Sequence, residues 1–247
     1  MGRAFEFRKA RKMKRWAKMS KAFTRIGKDI VIAVKEGGGN PDTNTRLRQV
    51  MQNAKSVNMP KENILRAIKK ASEKETANYE EISLEGYGAY GIAVFIDCAT
   101  NNNNRTVADI RSYFNKCDGA LGTNGSLEYI FDRKGVFTIE NNININLENL
   151  EMELIDGGLE EFEIETDNLV VYCDYKDFNN MQLKIESLNI EIIRSELQRI
   201  PNTTKKINAD QAKKILKLLD LLEDNEDVQQ VFHNMEINEE ILKIMDS

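Results

Sequence analysis

Along the first third of the chain apolar residues recur at three- and four-residue steps, and beyond about Lys74–Asn78 they shift to alternate positions. The first pattern predicts helices and the second predicts strands interspersed with helices. From Trp16 the stripe Trp16, Met19, Phe23, Ile26, Ile30, Ala33 and Val34 marks one face of a helix. At ~100° per residue, Lys14, Lys18, Lys21, Arg25 and Lys28 fall about 160° away, on the opposite face. This helix is therefore expected to carry core on one side and cations on the other. Arg8 and Lys12 would land on the apolar side, so residues before about Lys12 are read as a basic arm or a separate turn. Gly37-Gly38-Gly39 stops the helix, with Gly37 as the left-handed cap. Asn40 and Pro41 are read as the start of a second helix, through about Lys55, with Pro41 in its first turn. Asn58-Met59-Pro60 punctuates before a third, through about Ala71.

After the switch, strands are expected at 82–86, 92–98 and 126–131, with a helix at 105–117 between the last two. A β-α-β-β-α-β series follows: a strand near 136–139, a helix at 147–155 closed by Gly157-Gly158, strands around Phe162–Ile164 and at 169–173, a helix at 178–188, and a strand at 190–197. That order is a ferredoxin-like unit. Asn208 and Gln211 make a capping-box-like start to a further helix, whose stripe is Ala212, Ile215, Leu216, Leu219 and Leu222. Val228–Phe232 is a last strand. The expected fold is a multi-domain α and α+β protein: an N-terminal three-helix domain (1–75), an α+β domain (76–134 plus 206–247), and a ferredoxin-like α+β domain (135–205) inserted in it.

Charge sharpens this division. The whole chain carries −5, yet residues 1–75 hold 20 Lys+Arg against 7 Asp+Glu, and residues 76–247 hold 15 against 33. A chain so split presents its basic end to a polyanion and turns its acidic bulk away. The bland alternative is a solvated, charged helix pair with no partner. A hydrophobic content of 41% suits a folded domain. The longest aliphatic run, Ile30–Val34, is far short of the ~20 residues of a bilayer span, so no membrane partner is expected. The Arg/Lys-rich 1–28 segment lacks the apolar core of a secretory signal and reads as mature protein. Three widely spaced cysteines, Cys98, Cys117 and Cys173, support neither a disulfide framework nor a zinc ribbon, and fit a reducing cytoplasm.

Catalytic chemistry has little to draw on. His233 is the only histidine, which excludes a Ser-His-Asp triad built elsewhere and any two-His metal site; near a strand end it reads as a surface or hydrogen-bonding residue. No catalytic, metal or cofactor-binding residue, and no small-molecule substrate, is expected. The triple glycine lacks the flanking sequence of a phosphate loop. Gly86-Tyr87-Gly88-Ala89-Tyr90-Gly91 lies between two strands and reads as a hairpin, its tyrosines either packed or available to stack on bases. Asn101–Asn104 with Arg105 is open to two readings: a capped helix start with Arg105 in solvent, or contacts from the amides and Arg105 to phosphates and base edges.

Several ordered blocks resemble the YebC/PmpR family. They are Lys21-Ala22-Phe23-Thr24-Arg25; Gly37-Gly38-Gly39-Asn40-Pro41 with Asn44, Arg46 and Leu47; Asn58-Met59-Pro60-Lys61; Glu85-Gly86-Tyr87-Gly88; Asn104–Arg111; Gly119-Ala120-Leu121-Gly122 with Gly125-Ser126; and Leu222-Glu223-Asp224 with Asp227-Val228-Gln229. The resemblance spans about Lys9 to Asn234. It implies three domains, no cofactor, a cytoplasmic location and nucleic-acid binding, in a family of probable transcriptional regulators that also includes a mitochondrial translational activator. Two departures stand out: Phe5-Glu6-Phe7-Arg8-Lys9 replaces a Ser-Lys-Trp opening, and Ala89-Tyr90-Gly91 replaces a Gly-Pro-Gly turn.

The expected nucleic-acid-binding residues are Arg8, Lys9, Arg11, Lys14, Arg15, Lys18, Lys21, Arg25, Lys28 and Arg105. The expected partner is DNA, or alternatively ribosomal RNA on the ribosome; rows of Lys and Arg read phosphates and carry no base code, so they do not separate the two. No heptad seam marks a dimer, and a monomer is expected.

Overall fold

The computed structural model describes residues 3–73, 78–141, 146–165 and 168–245, with side chains from residue 19 to residue 244. Two compact units partition the chain, residues 1–80 and 81–247.

The first unit is helical: α1 (Arg3–Gly37), α2 (Thr45–Ser56) and α3 (Lys61–Ala71). Residues 3–12 form no separate arm but the first turns of α1, which is continuous through 35 residues, roughly 52 Å long. The sequence explains the correction. Residues 3–26 contain no glycine or proline and are rich in Ala, Lys, Arg and Met, all good helix formers. A poorly placed Arg8 or Lys12 does not break a helix. α1 packs on α2 and α3 around Ile30, Val34, Leu47, Val50, Ala54 and Ile64.

The joint between α1 and α2 also departs from expectation. Gly38, not Gly37, takes the left-handed conformation (φ +82°), and its N–H reaches the Val34 carbonyl at 2.8 Å. Gly37 is required for another reason: a Cβ there would lie 2.7 Å from the Asn44 side chain. Pro41 belongs to a turn before α2, in which Asp42 N–H donates to Asn40 Oδ1 at 3.0 Å. The N-cap is Asn44, whose Oδ1 accepts from Leu47 N–H at 3.0 Å. Its Nδ2 donates to the carbonyls of Ala33 at 2.7 Å and Gly38 at 2.8 Å. One buried amide thus ends one helix and starts the next. The expected linker, Lys74–Asn78, lies outside the described residues except for Asn78.

The second unit holds two four-stranded sheets. The first joins β1 (Glu80–Tyr87), β2 (Ala93–Thr100), β3 (Ala120–Leu121) and β8 (Val228–His233) in the order β3-β1-β2-β8. The second joins β4 (Phe131–Glu140), β5 (Leu159–Ile164), β6 (Asn168–Asp174) and β7 (Ile192–Pro201) in the order β5-β6-β4-β7. In the first, α4 (Asn103–Lys116) and α7 (Ala209–Asp224) cover one face, burying Ile96, Ile110, Phe114, Ile215 and Leu222. In the second, α5 (Leu147–Ile155) and α6 (Phe178–Ser187) cover Phe137, Ile139, Leu169 and Val171. Alternate residues of β4 (Phe137, Ile139) and of β6 (Leu169, Val171, Cys173) enter this core, as the period-2 geometry of a strand requires when helices cover one side, while Val136 and Val170, of the opposite parity, are also buried.

The hairpin expected at Gly86–Gly91 is present, with Gly88 N–H donating to the Ile92 carbonyl at 2.8 Å. Asn208 and Gln211 form a full capping box on α7. The strand expected at 126–131 does not form: Ile130 N–H turns back to the Leu127 carbonyl at 2.9 Å, and β4 begins only at Phe131. The cause is Glu85, a buried carboxylate that accepts from the N–H groups of Gly125 (2.8 Å) and Leu127 (2.6 Å) and winds this segment around itself. Leu127, Ile130 and Phe131 then pack with Ala93 and Phe95 on the face of the first sheet away from α4 and α7. The short β3 and the terminal helix α8 (Glu239–Met245) were not foreseen.

Arg199 on β7 joins the two sheets. Its guanidinium lies 3.6 Å from the Phe95 ring centroid, and its Nε is 3.8 Å from Asp97 Oδ2. Burial lowers the pKa of this guanidinium, with Asp97 opposing the shift. Gln230 of β8 donates to Glu196 of β7 at 3.1 Å.

Candidate nucleic-acid interface

The cationic face assigned to α1 is described only in its second half. Lys21 is exposed and Arg25 half-buried. Lys28 is 7% exposed, with Nζ 5.2 Å from the centroid of the Tyr79 ring. The two-faced helix therefore gives way before Lys28. Ile30, Val31, Ile32, Ala33 and Val34 are all buried in succession, which a helix with one wet side cannot achieve. Where α1 is surrounded, a long side chain such as Lys28 folds its stem along apolar surface and rests its ammonium on an aromatic face. The side chains of Arg8, Lys9, Arg11, Lys14, Arg15 and Lys18 lie outside the described set; their backbone is part of α1.

A second basic face was missed. On α3, Lys61, Arg66, Lys69 and Lys70 are all exposed, beside Leu65 at 51%. The signal was present: with Ile64 and Ala71 committed to the core, helical geometry leaves positions 65, 66, 69 and 70 outward, while Lys61 is exposed at the first position of the helix.

Arg105 is held in place. Asn102 caps α4 through its side chain, accepting from Arg105 N–H at 3.1 Å, and Arg105 Nη2 meets Asp227 Oδ2 at 2.7 Å and Asn101 Oδ1 at 3.1 Å. Asp227 is buried and also accepts from the Thr106 hydroxyl at 2.8 Å and the Thr100 hydroxyl at 3.3 Å. The carboxylate raises the Arg105 pKa further, so the guanidinium stays charged. Two separated sequence blocks, Asn104–Arg111 and Asp227–Gln229, thus turn out to be two halves of one network. The helix-capping reading accounts for Asn102, while the Arg105 side chain stays 48% exposed. His233 sits at the end of β8 opposite Val94, where burial lowers its pKa and favours the neutral ring. Among the described residues no helix is long and apolar enough to cross a membrane.

A helical N-terminal unit rich in exposed cations, followed by two helix-covered antiparallel sheets, defines a class of multi-domain α and α+β proteins. Residues 3–74 match the family described as the TACO1/YebC protein N-terminal domain, and residues 79–235 match the TACO1/YebC second and third domain. The chain belongs to this family, the YebC/PmpR family. It is 56% identical over 236 residues to a "probable transcriptional regulatory protein" of Flavobacterium psychrophilum, covering 96% of this chain and 100% of that one. A protein of the same description from Porphyromonas gingivalis is 53% identical over 239 residues, covering 97% and 99%. The crystal structure of a conserved hypothetical protein from Aquifex aeolicus superposes with a TM-score of 0.78 at 37% identity, covering 92% of this chain and 93% of that chain.

Proposed function

We propose that this protein is a nucleic-acid-binding regulator of gene expression, a DNA-binding transcriptional regulator of the YebC/PmpR type that docks through residues 1–75. One observation carries the reading: 20 of the 35 Lys and Arg residues lie in those 75 positions, and on α3 Lys61, Arg66, Lys69 and Lys70 are each exposed. The regulatory name of the relatives supports the same assignment. Arg8, Lys9, Arg11, Lys14, Arg15, Lys18, Lys21 and Arg25 supply phosphate contacts along α1, with Lys61, Arg66 and Lys69 of α3 as a second row. Lys28 serves packing, and Arg105 is a peripheral contact. The protein acts in the cytoplasm as a monomer and without a cofactor.

The test is salt dependence. Each phosphate contact adds roughly 0.7–0.9 to the slope of log K against log[salt]. Replacing Lys14, Lys18, Lys21 and Arg25 with Gln should therefore flatten that slope by roughly 3 units, and Gln preserves the helix. An unchanged slope in a folded variant assigns this face to solvent.

A second reading, a ribosome-associated translation factor, is favoured by the acidic remainder: 33 Asp+Glu against 15 Lys+Arg in residues 76–247. Such a body cannot lie along naked duplex, whereas a ribosome offers RNA beside basic proteins. Sedimentation of lysate with and without DNase and RNase separates the two. Nucleoid association lost only with DNase supports transcription, and DNase-resistant migration with ribosomal subunits supports translation.

The domain division we propose is 1–75, 76–134 plus 206–247, and 135–205. The last is a ferredoxin-like unit inserted in the second, supported by its β-α-β-β-α-β order and by β8 returning to the sheet of β1 and β2.

A further inference from the structure

We infer that the end of the first sheet, around Tyr87, Tyr90 and Tyr129, is a second nucleic-acid contact that stacks unpaired bases of a single strand. The inference rests on the nucleic-acid-binding reading above and adds to it the kind of target: one with unstacked nucleotides.

Three large rings stand in solvent here, Tyr129 at 72% exposure, Tyr90 at 42% and Tyr87 at 37%. They are not loosely placed. The Tyr87 and Tyr129 hydroxyls share a hydrogen bond at 3.1 Å. The Tyr129 carbonyl accepts from Asn202 Nδ2 at 3.2 Å, and the preceding segment is wound around buried Glu85. Tyr90 adopts φ +60°, a left-handed conformation that bulky residues resist, and Gly91 follows at φ +71°. The loop thus holds a ring outward in a conformation that an asparagine or glycine would adopt with less strain. Rings fixed yet left wet are stacking platforms awaiting a planar partner, since every base offers a π-face. Tyr87 and Tyr90 are three residues apart, so their Cα atoms lie within roughly 11 Å of one another.

Local charge supplies the second requirement, a cationic track for the backbone. Residues 205–217 contain five lysines and one aspartate, although residues 76–247 as a whole hold more than twice as many acids as bases. Lys205, Lys206, Lys213, Lys214 and Lys217 are all exposed. Lys205 Nζ reaches the Gly91 carbonyl at 3.5 Å. Lys214 is bonded to Asp118, and Asp118 precedes Gly119, whose Cβ position lies 2.7 Å from the Tyr87 carbonyl. The rings and cations therefore surround the same end of the sheet. Duplex DNA keeps its bases stacked and offers these rings nothing, whereas a single strand or an RNA loop offers splayed bases and phosphates together.

The experiment uses the full chain, a labelled 12-nucleotide oligouridylate and a 12-base-pair DNA duplex, with affinity read by fluorescence anisotropy. The double variant Tyr90→Asn/Tyr129→Ser changes exposed positions, and Asn tolerates the left-handed backbone; a melting curve confirms folding. Affinity for the oligouridylate should fall roughly thirtyfold, taking the low end of the stacking contribution for each of two rings, with duplex affinity and the salt slope unchanged. Tyr129→Phe should restore the ring's share. An equal loss on both probes, or no loss on the single strand, overturns the inference. A wild-type protein that binds duplex but not oligouridylate also overturns it, assigns the tyrosines to a protein contact, and leaves the nucleic-acid reading standing; one that binds neither overturns both.

Discussion

Residues 1–80 and 81–247 bury very different material. In the first unit the described core is aliphatic, built on Ile30, Val34, Leu47, Val50 and Ile64, with Asn44 and Lys28 as its buried polar side chains. In the second, Glu85, Thr100, Thr106, Gln182, Ser195, Asp227 and Asn234 are buried among apolar residues. Glu85 shapes the 122–130 segment, Asp227 joins α4 to β8, and Asn234 Oδ1 accepts from Ala93 N–H at 2.9 Å. The difference teaches where specificity resides. Three helices joined by short turns have few ways to pack, so apolar burial suffices. Two sheets threaded through one chain have many, and buried polar pairs that lose heavily when mispaired select one of them.

The largest effects should come from truncating the two cores separately. Phe95→Ala removes a fully buried ring that packs on Phe131 at 6.0 Å between centroids and leaves Arg199 without its aromatic face; the expected cost is about 3–5 kcal/mol. Leu47→Ala in the helical unit should cost about 2–5 kcal/mol. If the two units unfold independently, each substitution shifts its own transition in guanidinium unfolding followed by residue-specific probes. A single transition moved equally by both would break the comparison.

Smaller, and confined to the second unit, is Glu85→Gln. The amide keeps the shape but sets an NH2 group against one of the two backbone N–H donors, at about 1–3 kcal/mol. Hydrogen exchange should rise at Gly125 and Leu127 and stay unchanged in α1–α3. A rise shared by both units would show the clamp to be less local than the bonds imply.

The pH dependence isolates His233. Its pKa is lowered in the fold by burial, so below the unfolded value of about 6.5 the unfolded chain binds the proton first. Stability is therefore present at neutral pH and lost as pH falls from about 6.5 toward the depressed folded value, at no more than about 1.4 kcal/mol per pH unit. As the chain has one histidine, His233→Gln should remove the slope between pH 6.5 and 5. A slope that persists places its source elsewhere.

The smallest effect separates two lysines on one helix. Lys28→Gln gives up the contact over Tyr79 and should cost about 0.5–1 kcal/mol without changing the salt slope of binding. Lys21→Gln should leave stability within about 0.5 kcal/mol and reduce that slope by roughly 0.7–0.9. Reversed outcomes would return Lys28 to the phosphate-facing row.

Much was legible because local chemistry acts alone. The capping box at Asn208 and Gln211, the hairpin at Gly86–Gly91, the α5 boundaries at Leu147 and Ile155, and the strand at Leu169–Cys173 follow from side chains within a few residues of one another. The family, the helical and α+β composition and the basic character of residues 1–75 were likewise written in order and charge. What the sequence could not decide depended on partners far along the chain. The 126–131 segment has strand-like composition, yet a carboxylate some forty residues earlier captures its N–H groups, because an unpaired buried carboxylate costs more than the strand would return. Lys28 matches its neighbours in charge and spacing, and only the packing of α1 against other elements makes its position interior. Arg105 carries the same cation as Arg25, but Asp227, distant in sequence and adjacent in space, holds it. Periodicity and capping are properties of one segment and can be read there; the burial of a charge is a property of the whole fold, and tertiary structure alone assigns it.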